Sequence, residues 1–231
     1  VSEKSLGATR QILSSVHHFA GLPADVQDAI AAQAIPRRFH ADQVIFLEGE
    51  PADTLYILEK GWVKSIRMSR QGREQAIMFL KPGELFGDVA VLTGTTYPGT
   101  VIALESVSVL AIEREIILPL VASHAELASA VIQRFGERIL HFVGLVEDLS
   151  LRSVEARLAH TLLIHAQVSN GRFVVPRRPW TTIDEMAIRL GTVRDVLGRS
   201  LRAMEEAGVL RIERDEIVIL DPKRLSELGE I

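Results

Sequence analysis

A chain of 231 residues with 47% hydrophobic and 24% charged residues suits one large domain or two smaller ones with ordinary buried cores. It contains no Cys, which excludes disulfides, a thiolate nucleophile and Cys-ligated iron–sulfur or zinc sites. Net charge is −4, so a nucleic-acid partner has to be met by a local basic patch and not by bulk charge. No apolar run reaches the roughly 18 residues that span a bilayer, and VSEKSLGATRQ at the start has no apolar core of a signal peptide. The expectation is a cytoplasmic protein with no membrane partner.

In chain order, residues 23–33 read as a short helix. Short apolar or alternating runs then follow at 44–47, 54–58, 61–68, 75–80 and 107–112. Turn signals separate them: Glu48-Gly49-Glu50-Pro51, Glu59-Lys60-Gly61, Ser69-Arg70-Gln71-Gly72 and Lys81-Pro82-Gly83. Short strands at this spacing predict an antiparallel β-roll or jelly roll.

From 125 to 149 the period changes. Leu127, Val131, Phe135, Ile139, Phe142/Val143, Val146 and Leu149 recur in steps of three and four, which predicts a helix of about 37 Å. Such a stripe packs either on the chain's own β domain or against a symmetry mate. After it, Ser153 is placed to cap a helix running to about 166, and Asn170-Gly171 marks a turn. Two helices are expected near 183–190 and 193–207, and a hairpin at 211–219. A last helix starts with Asp221 as cap and Pro222 in its first turn. The division expected is 1–112, 113–150 and 151–231, with α+β architecture. There is no internal repeat.

The segment TTIDEMAIRLGTVRDVLGRSLRAMEEAGVL, residues 181–210, holds the most specific signal. Thr182 with Glu185 and Thr192 with Asp195 both fit the capping pattern in which a hydroxyl precedes an acid by three residues. Gly191 falls just past the first helix, where a left-handed residue closes a tight turn. Two helices joined by a short Gly-containing turn describe a helix-turn-helix. On the second helix Val196, Leu197, Ser200, Leu201 and Met204 share one side, while Arg194, Asp195, Gly198, Arg199 and Arg202 share the other. Arg can meet guanine O6 and N7 with two bonds, and Asp can accept from cytosine N4. Six Arg stand against three acids between Arg177 and Arg202, a basic patch in an acidic chain. A solvated amphipathic helix would show the charge run, but not the capping patterns and Gly turn with it.

The order β-roll, long helix, winged helix-turn-helix resembles the CRP/FNR family of transcription regulators over essentially the whole chain. The match is borne by Gly49 to Lys64 (GxxxxxxYILEKGxVK), PGELFGD from Pro82 to Asp88, and E-M-A-x-R-L-G-T-V-R-D-V-x-x-R-x-L from Glu185 to Leu201. The resemblance implies a homodimer joined along the long dimerisation helix. Its partner would be double-stranded DNA carrying an inverted repeat, with RNA polymerase a further partner that the resemblance allows. It also implies base reading by Arg194, Asp195 and Arg199 and phosphate contacts from Thr182 and Thr192, with Arg202 on the same face. Asp195 stands where several relatives have Glu, one methylene longer.

In cyclic-AMP-binding members, the segment matching 86–102 holds the nucleotide. The effector-pocket candidates here are Phe86, Gly87, Asp88, Val89, Tyr97, Gly99 and Thr100, with Phe142 and Val143 from the long helix. Asp88 occupies the position of the ribose-binding Glu. The position of the charge-neutralising Arg falls at Pro98 or Tyr97, neither of which brings charge to a phosphate. Phe142 and Val143 replace the Thr and Ser that meet adenine. The expectation is a regulator whose β-roll senses a different signal or acts without a ligand; a cyclic-nucleotide-responsive regulator with a modified phosphate loop is the alternative. A haem ligand near Leu85–Asp88 is absent from the sequence, and His17-His18 and His141 read as a solvated pair and an interface residue. The cofactor stays unassigned. An enzyme of the cupin type, the reading from another class, needs an H-x-H cluster that the chain lacks.

Overall fold

The computed structural model describes residues 3–16, 19–169 and 171–230, and His17, His18 and Asn170 lie outside the described residues. The chain divides into two compact units, Val1–Arg67 with Ile77–His141, and Met68–Ala76 with Phe142–Ile231. Each has its own apolar core.

The first unit begins with α1 (Glu3–Ser15) and α2 (Ala24–Gln33). The strands are β1 (Ile35–Phe39), β2 (Val44–Phe46), β3 (Thr54–Lys60), β4 (Val63–Met68), β5 (Glu74–Leu80), β6 (Leu85–Phe86), β7 (Thr100–Ala103) and β8 (Val107–Glu113). They form two four-stranded sheets, ordered β1-β8-β3-β6 and β2-β7-β4-β5. Leu55, Tyr56, Ile57 and Leu58 are all buried, so β3 packs on both of its faces. This is the β-roll expected, with three additions. β1, β6 and β7 are not among the expected runs: β6 has only two residues, and β1 (IPRRF) carries two Arg on a largely exposed edge. Between β6 and β7 lies α3 (Asp88–Thr93), followed after β8 by α4 (Arg114–Ser123).

The long helix α5 runs Ala125–Leu151, against an expected 125–149. It turns by 110° from α4. Segment 113–150 therefore holds two helices. The sequence stripe proves to be two faces. Leu127 and Ala130 are buried in the first core, with Arg134 and Arg138 following on the same side. On the other side Ile132, Ile139, Phe142 and Val146 are exposed, Ile139 and Val146 at 61% and 63%, while Phe135 between them is half-buried. Among the described residues no single helix is long and apolar enough to cross a membrane.

The second unit contains α6 (Val154–His165), β9 (Gln167–Ser169), β10 (Arg172–Pro176), α7 (Ile183–Arg189), α8 (Arg194–Glu206), β11 (Leu210–Ile212), β12 (Glu216–Ile219) and α9 (Pro222–Leu228). Ser153 caps α6 by accepting from Ala156 N–H at 3.1 Å, and Asp221 caps α9 by accepting from Arg224 N–H at 2.9 Å. The sheet order β11-β12-β10-β9 adds a second antiparallel pair, β9 with β10, to the expected one.

Candidate nucleic-acid interface

Helix α7 starts where Thr182 accepts from Glu185 N–H at 3.2 Å, one of the two caps the sequence pattern called for. The second differs: the N-cap of α8 is Val193, with no side-chain bond. Thr192 sits one residue too early, and its N–H instead donates to Ala187 carbonyl at 2.9 Å, closing the turn from behind. Gly191 has φ +63°, a conformation that side chains resist, and a Cβ there would strike Leu149 Cδ2 at 2.7 Å. Arg157 Nε donates to the neighbouring Leu190 carbonyl at 2.8 Å and Arg73 Nη2 to the Gly191 carbonyl at 3.1 Å. Carbonyls left over at the end of α7 thus gain charged donors.

Helix α8 is held by its inner face. Leu197, Leu201 and Met204 are buried against Leu158, Leu162, Val209, Leu210 and Leu225, each burial contributing roughly 2 kcal/mol as an upper figure. Val196 and Ser200 flank them, half-buried. The outer face then has no freedom of rotation: Arg194, Asp195, Arg199 and Arg202 are exposed and surround, with Gly198 and Ile183, a surface concavity of about 400 Å³. A Cβ on Gly198 would meet nothing within 4 Å, so the protein's own packing does not require glycine there. Asp184 Oδ2 accepts from Arg194 Nη1 at 2.5 Å. Arg199 and Arg202 have no ion-pair partner among the described residues. The concavity brings Arg194, Asp195, Arg199 and Arg202 together; Thr182 stands at the start of α7 and Thr192 in the turn before α8.

The effector-pocket candidates fall in several different environments. Gly87 takes φ +76° as the residue before α3, and its position leaves only 3.1 Å between an added Cβ and Thr54 carbonyl. Asp88 is 2% exposed, and its carboxylate is occupied. Oδ2 accepts from Arg134 Nε at 2.8 Å, and Oδ1 accepts from Arg138 Nη2 at 3.4 Å. Arg134 also donates to Leu85 carbonyl. Burial lowers the pKa of Arg138, and the Asp88 carboxylate opposes that shift. The cavity beside Asp88, bounded by Leu55, Leu85, Leu127, Arg134 and Phe135, is about 10 Å³, the room of a single water.

Phe86 and Tyr97 point into the core. Phe46 and Tyr97 stack with ring centroids 3.7 Å apart, Tyr56 and Phe86 at 5.1 Å, and Tyr97 hydroxyl donates to Thr54 carbonyl at 2.5 Å. Desolvation raises the Tyr97 pKa to about 12. Val89 is half-buried and Gly99 buried, and Thr100 Oγ1 accepts from Glu48 N–H at 3.1 Å. Phe142 and Val143 are exposed on α5 and belong to the second unit. His141 Nε2 lies 3.0 Å from Ile77 carbonyl. Among the described residues no group of three His, Asp or Glu side chains could hold a metal ion.

Sequence reasoning missed three cations around this loop. Arg134 and Arg138 are four residues apart on one helix face, a spacing visible in the sequence; what could not be read was which carboxylate they meet. The third is Arg67, whose Nη1 donates to Pro98 carbonyl at 2.6 Å while Nη2 pairs with Glu48 at 3.1 Å. It stands at the loop position where the sequence has no charge.

Comparison with known proteins agrees with this geometry. Residues 36–124 match the family model described as a cyclic nucleotide-binding domain and residues 156–228 the Crp-like helix-turn-helix domain, together more than half of the chain. A CRP-like cAMP-activated global transcriptional regulator of Mycobacterium tuberculosis is 26% identical over 220 residues, covering 94% of this chain and 97% of that protein. A global nitrogen regulator of Synechococcus elongatus is 28% identical, over 82% of this chain and 87% of its own. Among solved structures, FixK2 from Bradyrhizobium japonicum superposes with a TM-score of 0.74 at 21% identity, covering 86% of this chain and 98% of that one. That last likeness concerns the fold.

Proposed function

The chain belongs to the CRP/FNR family of DNA-binding transcription regulators, and from that premise we propose that it binds an inverted-repeat DNA site as a homodimer, with a β-roll that does not take cyclic AMP in the familiar manner. One observation supports the DNA reading above the others. A recognition helix fixed on its inner face by Leu197, Leu201 and Met204 turns three arginines, Asp195 and an uncluttered Gly198 outward together. Arg194 and Arg199 read base edges, Asp195 adds an acceptor, and Thr182, Thr192 and Arg202 meet the backbone. The heptad-spaced apolar seam of α5, exposed in the single chain, is the surface joined to a second copy. Two recognition helices then enter major grooves about 34 Å apart.

The sensor reading rests on Asp88. A ribose hydroxyl needs a free acceptor, and this carboxylate already serves two guanidinium groups in a space with room for one water. Arg67 favours a second reading, a modified phosphate loop, since its guanidinium lies against Pro98. It is engaged with Glu48 and exposed, so an anion arriving there is bound weakly.

Footprinting on duplexes selected from a random pool tests the DNA reading. Protection of two half-sites one turn apart is expected, and Arg199→Ala should cost about 1–3 kcal/mol at one base position. An equal loss on every sequence would remove the base-reading role. Titration with cyclic AMP and cyclic GMP should leave DNA affinity unchanged; a gain would favour the modified loop.

A further inference from the structure

We propose that Asp184 is a positioning residue for DNA readout, holding the Arg194 guanidinium in the orientation from which it meets a base edge. The proposal rests on the base-reading role given above to Arg194.

The two residues occupy the paired starts of the helix-turn-helix. Asp184 lies in the first turn of α7, whose origin is fixed by the Thr182 cap, and Arg194 is the first residue of α8. Their contact joins Asp184 Oδ2 to Arg194 Nη1 at 2.5 Å, with side chains 55% and 63% exposed. An ion pair so exposed adds little to fold stability, and α7 already has its cap, so the fold does not explain the pair.

Geometry offers a better account. Arg presents five N–H donors in a rigid fork. Asp184 engages Nη1, which leaves the Nε and Nη2 donors on the adjoining edge of the fork. Two donors side by side match the O6 and N7 acceptors of guanine. A long Arg chain otherwise loses considerable rotamer freedom when it docks, and a fork already held loses less. Arg199 and Arg202 have no ion-pair partner among the described residues and keep that freedom.

The charge of Asp184 has a second, separate effect. Non-specific binding depends on cations meeting phosphates, and a carboxylate beside Arg194 lowers the net charge offered to any duplex. That repulsion weakens cognate and non-cognate binding alike, so any gain in their ratio comes from the positioning of Arg194.

The experiment uses the full-length protein and the duplex defined by selection, with all single-base variants, read by fluorescence anisotropy at two salt concentrations. Asp184→Asn should reduce discrimination at one base position of each half-site by roughly fivefold, leave the other positions unchanged, and tighten non-specific binding. Asp184→Glu, which restores the charge on a longer stem, should recover part of the lost discrimination. In an Arg194→Ala background, Asp184→Asn should alter no ratio.

If Asp184→Asn tightens binding to every duplex equally, Asp184 is a repelling charge only and the positioning role is overturned. Discrimination lost at all positions together with a lowered melting temperature would mark a fold defect and overturn it as well. If Arg194→Ala itself leaves every ratio intact, the base-reading assignment fails first and takes the positioning role with it.

Discussion

Gly198 and Gly191 show why one residue type needs two explanations. Gly191 has a positive φ and a neighbour 2.7 Å from where its Cβ would be, so the turn itself requires it. Gly198 is helical with open space around it, and a helix-interior glycine costs roughly 1 kcal/mol relative to alanine. A residue that weakens its own helix without a packing reason is expected to serve what lies outside, here the close approach of the duplex. Gly198→Ala should therefore raise the melting temperature while weakening DNA binding, as thermal unfolding and anisotropy would show. If both improved, Gly198 would have no part in the interface. The sequence displays both glycines alike, and only the backbone angle and the surroundings separate them.

Among the elements, α5 is the one whose pattern misled by being too rich. Its 3-4 recurrence was legible, but one-dimensional spacing could not separate the residues that enter the first core from those that form an exposed seam. Leu127 and Ala130 are buried, whereas Ile132, Ile139 and Val146 are exposed at intervals of seven. A charge placed on the seam meets its symmetry copy in a dimer but only water in a monomer. Ile139→Glu should weaken self-association by a hundredfold or more, about 3 kcal/mol or above, without disturbing the β-roll. Sedimentation would show monomers, and tyrosine circular dichroism would stay native. A dimer of unchanged strength would place the interface elsewhere. Helix α8 was better predicted, because it is amphipathic toward a single core and its polar face has one orientation.

At the scale of the whole molecule, the chain holds two tyrosines, and both sit in the aromatic cluster of the first unit. Burial raises the pKa of each, that of Tyr97 to about 12 from 10.0. The linkage sign follows: between those values the unfolded chain loses its phenol proton while the native state keeps it. The stabilisation is fully present below pH 10 and is lost as pH rises toward 12, with a slope near 1.4 kcal/mol per pH unit for Tyr97. Phenolate absorbance should rise only with unfolding, and the second unit, having no tyrosine, should lack this particular slope. Reversible phenolate formation in native protein near pH 10 would mean that the cluster is open to solvent.

What the sequence determined by itself was local or periodic. The Thr182, Ser153 and Asp221 caps, the Gly191 turn, the inner and outer faces of α8 and five of the eight β-roll strands are each decided within a few residues, where hydrogen-bond geometry and side-chain period act directly. What the tertiary structure decided was which distant groups meet. That Arg134 and Arg138, more than 45 residues away, hold the Asp88 carboxylate cannot be read from the spacing of the chain. Tyr97 reads as a loop residue until its ring stacks on Phe46, and the chargeless loop acquires Arg67. A charge or an aromatic face has no preferred partner along the chain. Its partner is chosen by burial, which removes water as the alternative and leaves whichever group the folded core has brought within reach.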